Sequence, residues 1–186
     1  DLMRLHVQFL QPVRWRDWVS LFTWHKGASG ISFFRDFLMQ DAAGKTAIAA
    51  TSSWVVIDER SRRIVKPEEL LQFAQVEQPD HAIVEPAPKI LLPKEMELAG
   101  EHTVLNTEID INGHTNNACY VVWAMACLPT EATLQPMIDL YVNFHKETKE
   151  GECVQLYRHH SDNTWYVEGR LDGKPCFSVE FQNANS

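Results

Sequence analysis

Apolar and polar residues alternate at several points along the chain, and each such stretch predicts a half-buried strand. Ile138, Leu140, Val142 and Phe144 share one face at a period of two, as do Phe177, Val179 and Phe181. Ile31 to Met39 and Thr46 to Ile57 form a longer hairpin with Trp54 and Val56 on one face and Val55 and Ile57 on the other. That pair is expected to be covered on both sides. Asp41 to Lys45 and Asp172-Gly173-Lys174 each place an Asp ahead of Gly-Lys, a tight-turn signal that closes a hairpin.

The strand pattern repeats. Leu5-His6-Val7-Gln8-Phe9 matches Leu140-Tyr141-Val142-Asn143-Phe144 at an offset of 135 residues. At the same offset, Val19-Ser20-Leu21-Phe22 with His25 matches Val154-Gln155-Leu156-Tyr157 with His160. Two copies of one unit are therefore expected, over residues 1–57 and 101–186, joined by a linker at 58–100. The linker carries a basic run (Arg60, Arg62, Arg63, Lys66) and then Pro79, Pro86, Pro88 and Pro93, a density of proline that disfavours long helix and central strand. A brief helix at Pro67 to Ala74, with Pro at its first position, fits within it.

One segment breaks the period of two. Ala118 to Leu128 holds no charged or amide side chain, follows the cap-forming Thr115, Asn116 and Asn117, and stops at Pro129. A helix apolar on every side is expected to be buried on every side, and at about 16 Å it is too short to cross a bilayer. A curled antiparallel sheet wrapped around one helix is the hotdog architecture. With the repeat, the fold expected is α+β, a tandem hotdog. Projected back by 135 residues, the helix of the first copy falls before Asp1, so that copy enters the chain already past its helix.

Composition narrows the function classes. The 45% apolar content of 186 residues is enough for a packed core. A net charge of −8 argues against nucleic acid, which demands a surplus of Lys and Arg. No stretch approaches the length of a membrane span, and Asp1 to Arg4 shows no signal pattern, so a cytoplasmic protein is expected. Four cysteines at 119, 127, 153 and 176 form no C-x-x-C pair and are expected to be reduced and partly buried. His159-His160 is the one adjacent histidine pair, and neighbours on a strand point to opposite faces, so the two read as polar residues at the surface and no metal is expected.

The residues leading into the apolar helix carry the chemistry. Asp110-Ile111-Asn112-Gly113-His114-Thr115-Asn116-Asn117 gathers a carboxylate, three amides and an imidazole within eight positions. Unpaired N–H groups at a helix start, here beside Asn116 and Asn117, suit a carbonyl oxygen that becomes an oxyanion. A thioester is already activated, so its hydrolysis needs a nucleophile, an oxyanion site and a proton manager, with no cofactor. An Asx-turn followed by a helix cap would use the same residue types. The Trp and Phe residues of the first copy (Trp15, Trp18, Trp24, Phe33, Phe34, Phe37, Trp54) are expected mostly in the core, some lining an acyl tunnel.

DINGHTNNACYVVWAMACLP resembles the active-site segment of plant and bacterial acyl-acyl-carrier-protein thioesterases. FFRDFLMQDAAGKTAIAATSSWVVIDERSRRIVKP resembles the family's other recurrent block, a hairpin with S-x-W-V-x-I-D followed by an arginine pair. The resemblance implies a double hotdog that releases fatty acids from acyl carrier protein in type II fatty acid synthesis. It places the family's catalytic Asp, Asn and His on Asp110, Asn112 and His114, and its glutamate on Glu147 in F-H-K-E. A nucleophilic route through Asp110 and a one-step route with Asp110 or Glu147 as general base both fit these residues. Strand alternation sets Glu147 on the parity of Asn143 and His145; its approach to His114 is implied by the resemblance alone.

Thr148 stands where the plant pattern has a cysteine, which weakens a Cys-His reading, and Cys119 and Cys127 read as core residues. The position matching Glu147 in the first copy is Pro12, so one active site per chain is expected. Arg60, Arg62 and Arg63 could meet an acidic carrier protein or its phosphopantetheine arm, or form a solvated turn. Other readings are an acyl-coenzyme A hydrolase, a hotdog hydratase, which usually spaces its motif D-x-N-x-x-H, and a non-catalytic acyl-binding module. A monomer or a homodimer is expected, because the tandem repeat already supplies the pairing of two single hotdogs.

Overall fold

The structure, a computed structural model, describes residues 1–58, 60–61, 63–70 and 80–184, without the Glu68 side chain. It divides into two compact units, Asp1–Pro88 and Lys89–Ser186.

In the first unit, β1 (Leu2–Phe9), β2 (Val19–Ser29), β3 (Ser32–Asp41) and β4 (Thr46–Trp54) form an antiparallel sheet in the order β2-β3-β4-β1. The short strands β5 (Val56–Ile57) and β6 (Ile64–Val65) pair with each other, and α1 (Pro67–Leu70) follows with Pro at its start. Residues 71–74 of the helix expected there lie outside the described residues. Register sets the faces. Leu5, Val7 and Phe9 lie opposite Ser52, Ala50 and Ile48, which in turn face Arg35, Phe37 and Met39. The other face carries His6, Thr51 and Asp36.

The segment 80–88 is tied to Asp36 and Lys26 of this unit. The Ala82 N–H donates to Asp36 Oδ2 at 2.8 Å, and Lys26 Nζ donates to the Ile83 carbonyl. Asp36 Oδ1 accepts no hydrogen bond of its own and is met at 3.5 Å by the Lys26 ammonium. Both side chains are almost wholly buried, as are Ile83 and Ala87.

Trp15 and Trp18 are 91% and 85% exposed, against the expectation of a core position. The reason is local. They sit on a turn between β1 and β2, closed by Arg14 N–H to Asp17 Oδ2 (2.7 Å) and Asp17 N–H to the Arg14 carbonyl (3.0 Å), where no strand directs a side chain inward. Phe33 is buried, while Trp24, Phe34, Phe37 and Trp54 are half-buried.

The second unit opens with β7 (Glu97–Thr103) and a 3-10 turn (Asn106–Glu108), followed by α2 (Asn117–Ala126) and the short α3 (Thr130–Thr133). Strands β8 (Met137–Phe144), β9 (Cys153–Ser161), β10 (Thr164–Leu171) and β11 (Lys174–Asn183) complete an antiparallel sheet in the order β8-β11-β10-β9-β7. The order β9-β10-β11-β8 reproduces β2-β3-β4-β1, and β1 and β8 occupy matching spans at the offset of 135. Helix α2 lies against β10 and β11. This is the hotdog arrangement, an α+β fold of antiparallel strands with one main helix.

Phe177, Val179 and Phe181 of β11 face Phe144, Val142 and Leu140 of β8, and the three β11 side chains are at most 1% exposed. Burying each large apolar side chain stabilises the fold by about 1.5 to 3 kcal/mol. Tyr120, Trp123 and Ala124 of α2, with Cys127 at its C-terminal cap, are spaced i, i+3, i+4 and i+7 and form one buried stripe. The Tyr120 and Trp123 rings lie 5.0 and 6.2 Å from that of Phe177. The helix is not buried all round, as its composition suggested: Val122 is 63% and Met125 38% exposed. Sheet contact covers one side of a helix, and apolar composition cannot tell which side. No described helix is long and apolar enough to cross a membrane.

Candidate active site

The polar cluster folds as a tight loop that delivers the chain into α2. Ile109 bridges Thr115, the Asp110 N–H donates to the His114 carbonyl (2.8 Å), and Gly113 N–H donates to the Asp110 carbonyl (3.1 Å). Gly113 turns there with φ +78°, a region open to glycine at little cost. The Asp110 carboxylate binds back onto the loop. Oδ1 accepts from the backbone N–H of Asn112 (2.8 Å) and of His114 (3.4 Å), and Oδ2 from Asn112 Nδ2 (3.2 Å). The Asn112 N–H has the largest effect. Together with the Asn112 amide and the His114 N–H it outweighs the opposing effect of burial and holds Asp110 below the usual carboxylate range.

Asn116 is the helix cap: its side-chain oxygen accepts from the Ala118 N–H at 2.9 Å. Asn117 is the first helical residue and is exposed. The Asx-turn and the cap expected from residue types are thus both formed, in the same residues that a hydrolytic reading needs.

His114 meets Glu147, with Nδ1 3.2 Å from the carboxylate Oε2 and side-chain exposures of 30% and 51%. Strand alternation does not position Glu147. β8 ends at Phe144, and the N–H groups of His145 and Lys146 both turn to the Cys176 carbonyl, at 2.7 and 3.0 Å. Instead the Thr115 N–H donates to the Thr148 carbonyl at 2.9 Å, which lays the segment carrying Glu147 beside the segment carrying His114. The parity partner Asn143 is buried, its Oδ1 accepting from the Ile90 N–H at 2.9 Å, and His145 Nε2 is 3.0 Å from Ser178 Oγ.

Glu108, which sequence reasoning missed, is tied to the end of this loop through Asn116. Its carboxylate accepts from Trp123 Nε1 (2.8 Å) and the Leu105 N–H (2.8 Å) and pairs with His102 Nε2 (2.9 Å). Its carbonyl accepts from the Asn116 N–H at 2.8 Å. Burial would raise its pKa, but the bonds from His102, Leu105 and Trp123 together win, and the carboxyl sits below its ordinary range. A second carboxylate two positions before Asp110 was the available signal.

Among the described residues, no three His, Cys, Asp or Glu groups are placed to hold a metal ion. His159 and His160 point apart: His160 stacks on Trp165 at 4.2 Å, and His159 Nδ1 meets the Glu95 carbonyl at 2.7 Å. All four cysteines are free. Burial raises the thiol pKa values of Cys119 and Cys127, which makes thiolate chemistry at either less accessible. Arg60 and Arg63 are exposed on the turn between β5 and β6 of the first unit, and Arg62 lies outside the described residues.

A family model for the acyl-ACP thioesterase N-terminal domain matches residues 2–72, and one for the C-terminal domain matches residues 93–173. The chain belongs to the acyl-ACP thioesterase family. The oleoyl-acyl carrier protein thioesterase 2 of Arabidopsis thaliana, a chloroplastic protein, is 27% identical over 146 residues, which are 69% of this chain and 38% of that protein. This chain spans less than half the length of the curated relatives it matches.

Two solved acyl-ACP thioesterases share the fold of this family member. The 12:0-ACP thioesterase of Umbellularia californica superposes with a TM-score of 0.84 at 21% identity, over 100% of this chain and 75% of that one. An acyl-ACP thioesterase of Bacteroides thetaiotaomicron gives 0.77 at 21% identity, over 98% and 75%.

Proposed function

We propose that this chain carries the hydrolytic site of a thioesterase that cleaves fatty acyl groups from acyl carrier protein in type II fatty acid synthesis. The observation that carries the reading is the His114–Glu147 pair, 3.2 Å apart, beside the Asp110–Asn112 turn at the start of α2.

The thioester carbonyl meets the N-terminal end of α2, where helix N–H groups stabilise the charge that develops on its oxygen. Asn116 and Asn117 shape that end, Asn116 through its cap. Asp110, held ionised by its hydrogen bonds, then acts in one of two ways. As nucleophile it forms an anhydride and expels the carrier thiolate, and Glu147 takes a proton from the water that cleaves the anhydride. As general base, Asp110 or Glu147 takes a proton from the water that attacks the thioester directly. His114 orients the carboxylates in both routes, and Asn112 holds Asp110. Exposed Arg60 and Arg63, with Arg62, are the contacts assigned to the acidic carrier.

The test compares hydrolysis of one acyl group on carrier protein and on coenzyme A, for the protein and for Asp110→Ala, His114→Ala and Glu147→Gln. Each substitution is expected to lower kcat by about a hundredfold or more. Unchanged hydrolysis in Asp110→Ala and His114→Ala would overturn the site. A preference for coenzyme A of about tenfold or more, a gap of about 1.4 kcal/mol in transition-state stabilisation, would overturn the carrier.

A further inference from the structure

Glu147 is half exposed, and a single histidine–carboxylate contact in that setting fixes little geometry by itself. What fixes it lies one residue further on. His114 precedes Thr115 and Glu147 precedes Thr148, and these two threonines are 4% and 0% exposed. Five hydrogen bonds converge there. The Thr115 N–H (2.9 Å) and Thr115 Oγ1 (3.1 Å) both donate to the Thr148 carbonyl, and the Thr148 N–H donates to the Tyr120 hydroxyl at 3.0 Å. The two threonine hydroxyls are 2.7 Å apart, and Tyr120 Oη is 3.0 Å from Thr148 Oγ1.

One proton arrangement satisfies all of them. Thr115 Oγ1 gives its proton to the carbonyl, so it accepts from Thr148 Oγ1, which leaves Thr148 Oγ1 to accept from Tyr120. Each hydroxyl then donates once, and the Thr148 hydroxyl is the node that joins the loop, the post-β8 segment and α2. A cysteine, the residue of the plant pattern here, offers only a weak S–H donor and a weak acceptor at that node.

We propose that the Thr148 hydroxyl is a positioning group: through the buried Thr115–Thr148–Tyr120 clasp it holds Glu147 opposite His114. Consecutive Cα atoms are about 3.8 Å apart, so a tilt at Thr148 moves Glu147 with it. The catalytic consequence rests on the thioesterase reading above; the positioning itself does not.

The experiment compares Thr148→Val, which keeps the shape and removes the hydroxyl, with Thr148→Ser, which keeps the hydroxyl. Thr148→Val is expected to lose about tenfold or more in kcat with KM nearly unchanged, because a displacement near 1 Å is costly to a reacting geometry. Thr148→Ser is expected to restore most of the rate. In a Glu147→Gln background, Thr148→Val should add nothing further, since its effect passes through Glu147. A crystal structure of Thr148→Val should show His114 and Glu147 separated well beyond 3.2 Å.

Wild-type kcat in Thr148→Val, even with a lowered Tm, overturns the proposal, as does an undiminished loss in the Glu147→Gln background. If the wild-type protein hydrolyses no acyl-carrier thioester, the thioesterase reading fails, and the crystal structure alone decides the positioning: an unchanged pair overturns it.

Discussion

Glu108→Ala removes a carboxylate that accepts three hydrogen bonds next to the Asp110–Asn117 loop, and their unequal settings give the size of the loss. Trp123 is 3% exposed, so its Nε1–H has no water to turn to, and a buried unpaired donor costs about 1 to 3 kcal/mol. The Leu105 N–H lies at an exposed position, and His102 is 27% exposed, so both recover much of their loss from solvent. A total of about 2 to 4 kcal/mol at pH 7 follows for Glu108→Ala. Glu108→Gln is milder. Its oxygen can serve Trp123, but its amide then faces the Leu105 N–H, donor against donor, for a loss of about 1 to 2 kcal/mol.

Urea unfolding followed by tryptophan fluorescence measures both variants. The pH dependence supplies a second arm. Because the folded-state pKa of Glu108 lies below its ordinary 4.5, its stabilisation is fully present above that value and is lost as pH falls through the folded pKa. The gap between the wild-type protein and Glu108→Gln should therefore close on acidification below pH 4.5. A loss under about 0.5 kcal/mol for Glu108→Ala, or a gap that widens in acid, would refute the reasoning.

Substitutions at two further places test the packing. Lys26→Met strands the fully buried Asp36 carboxylate and is expected to destabilise the protein by about 3 to 5 kcal/mol in chemical denaturation, whereas Lys26→Met with Asp36→Leu should recover most of it. Equal losses in the single and double variants would count against the buried pair. At Gly169 an added Cβ would stand 2.1 Å from Phe177 Cε1, so Gly169→Ala is expected to destabilise the protein through overpacking by about 1 to 3 kcal/mol, read as a lowered Tm, and Phe177→Leu should relieve part of that loss. A Gly169→Ala protein as stable as wild type would mean that the ring moves aside freely.

The strands were legible in the sequence because their cause is local: alternation at Leu140, Val142 and Phe144 follows from the pleat, whatever else the chain does. The helix was legible for the same reason, from its caps and apolar run. Its burial was not, because Val122 and Tyr120 are both apolar, and only the contact with β10 and β11 distinguishes them. Trp15 and Trp18 misled for a related reason: aromatic content argues for burial on average, and a turn overrides the average.

At the site the boundary runs between contiguous and distant residues. Asp110, Asn112, His114 and the Asn116 cap fall within one loop, so their clustering could be read along the chain. The approach of Glu147 to His114 is set by hydrogen bonds between residues 33 apart, made by Thr115 and Thr148, side chains that carry no chemical signal of their own in a sequence. A buried hydroxyl gains its geometric influence from the partners it is denied in water and must find in the protein. That makes the support of a site harder to see in a sequence than its reacting groups, and Thr148 is the position in this chain where the two can be separated by experiment.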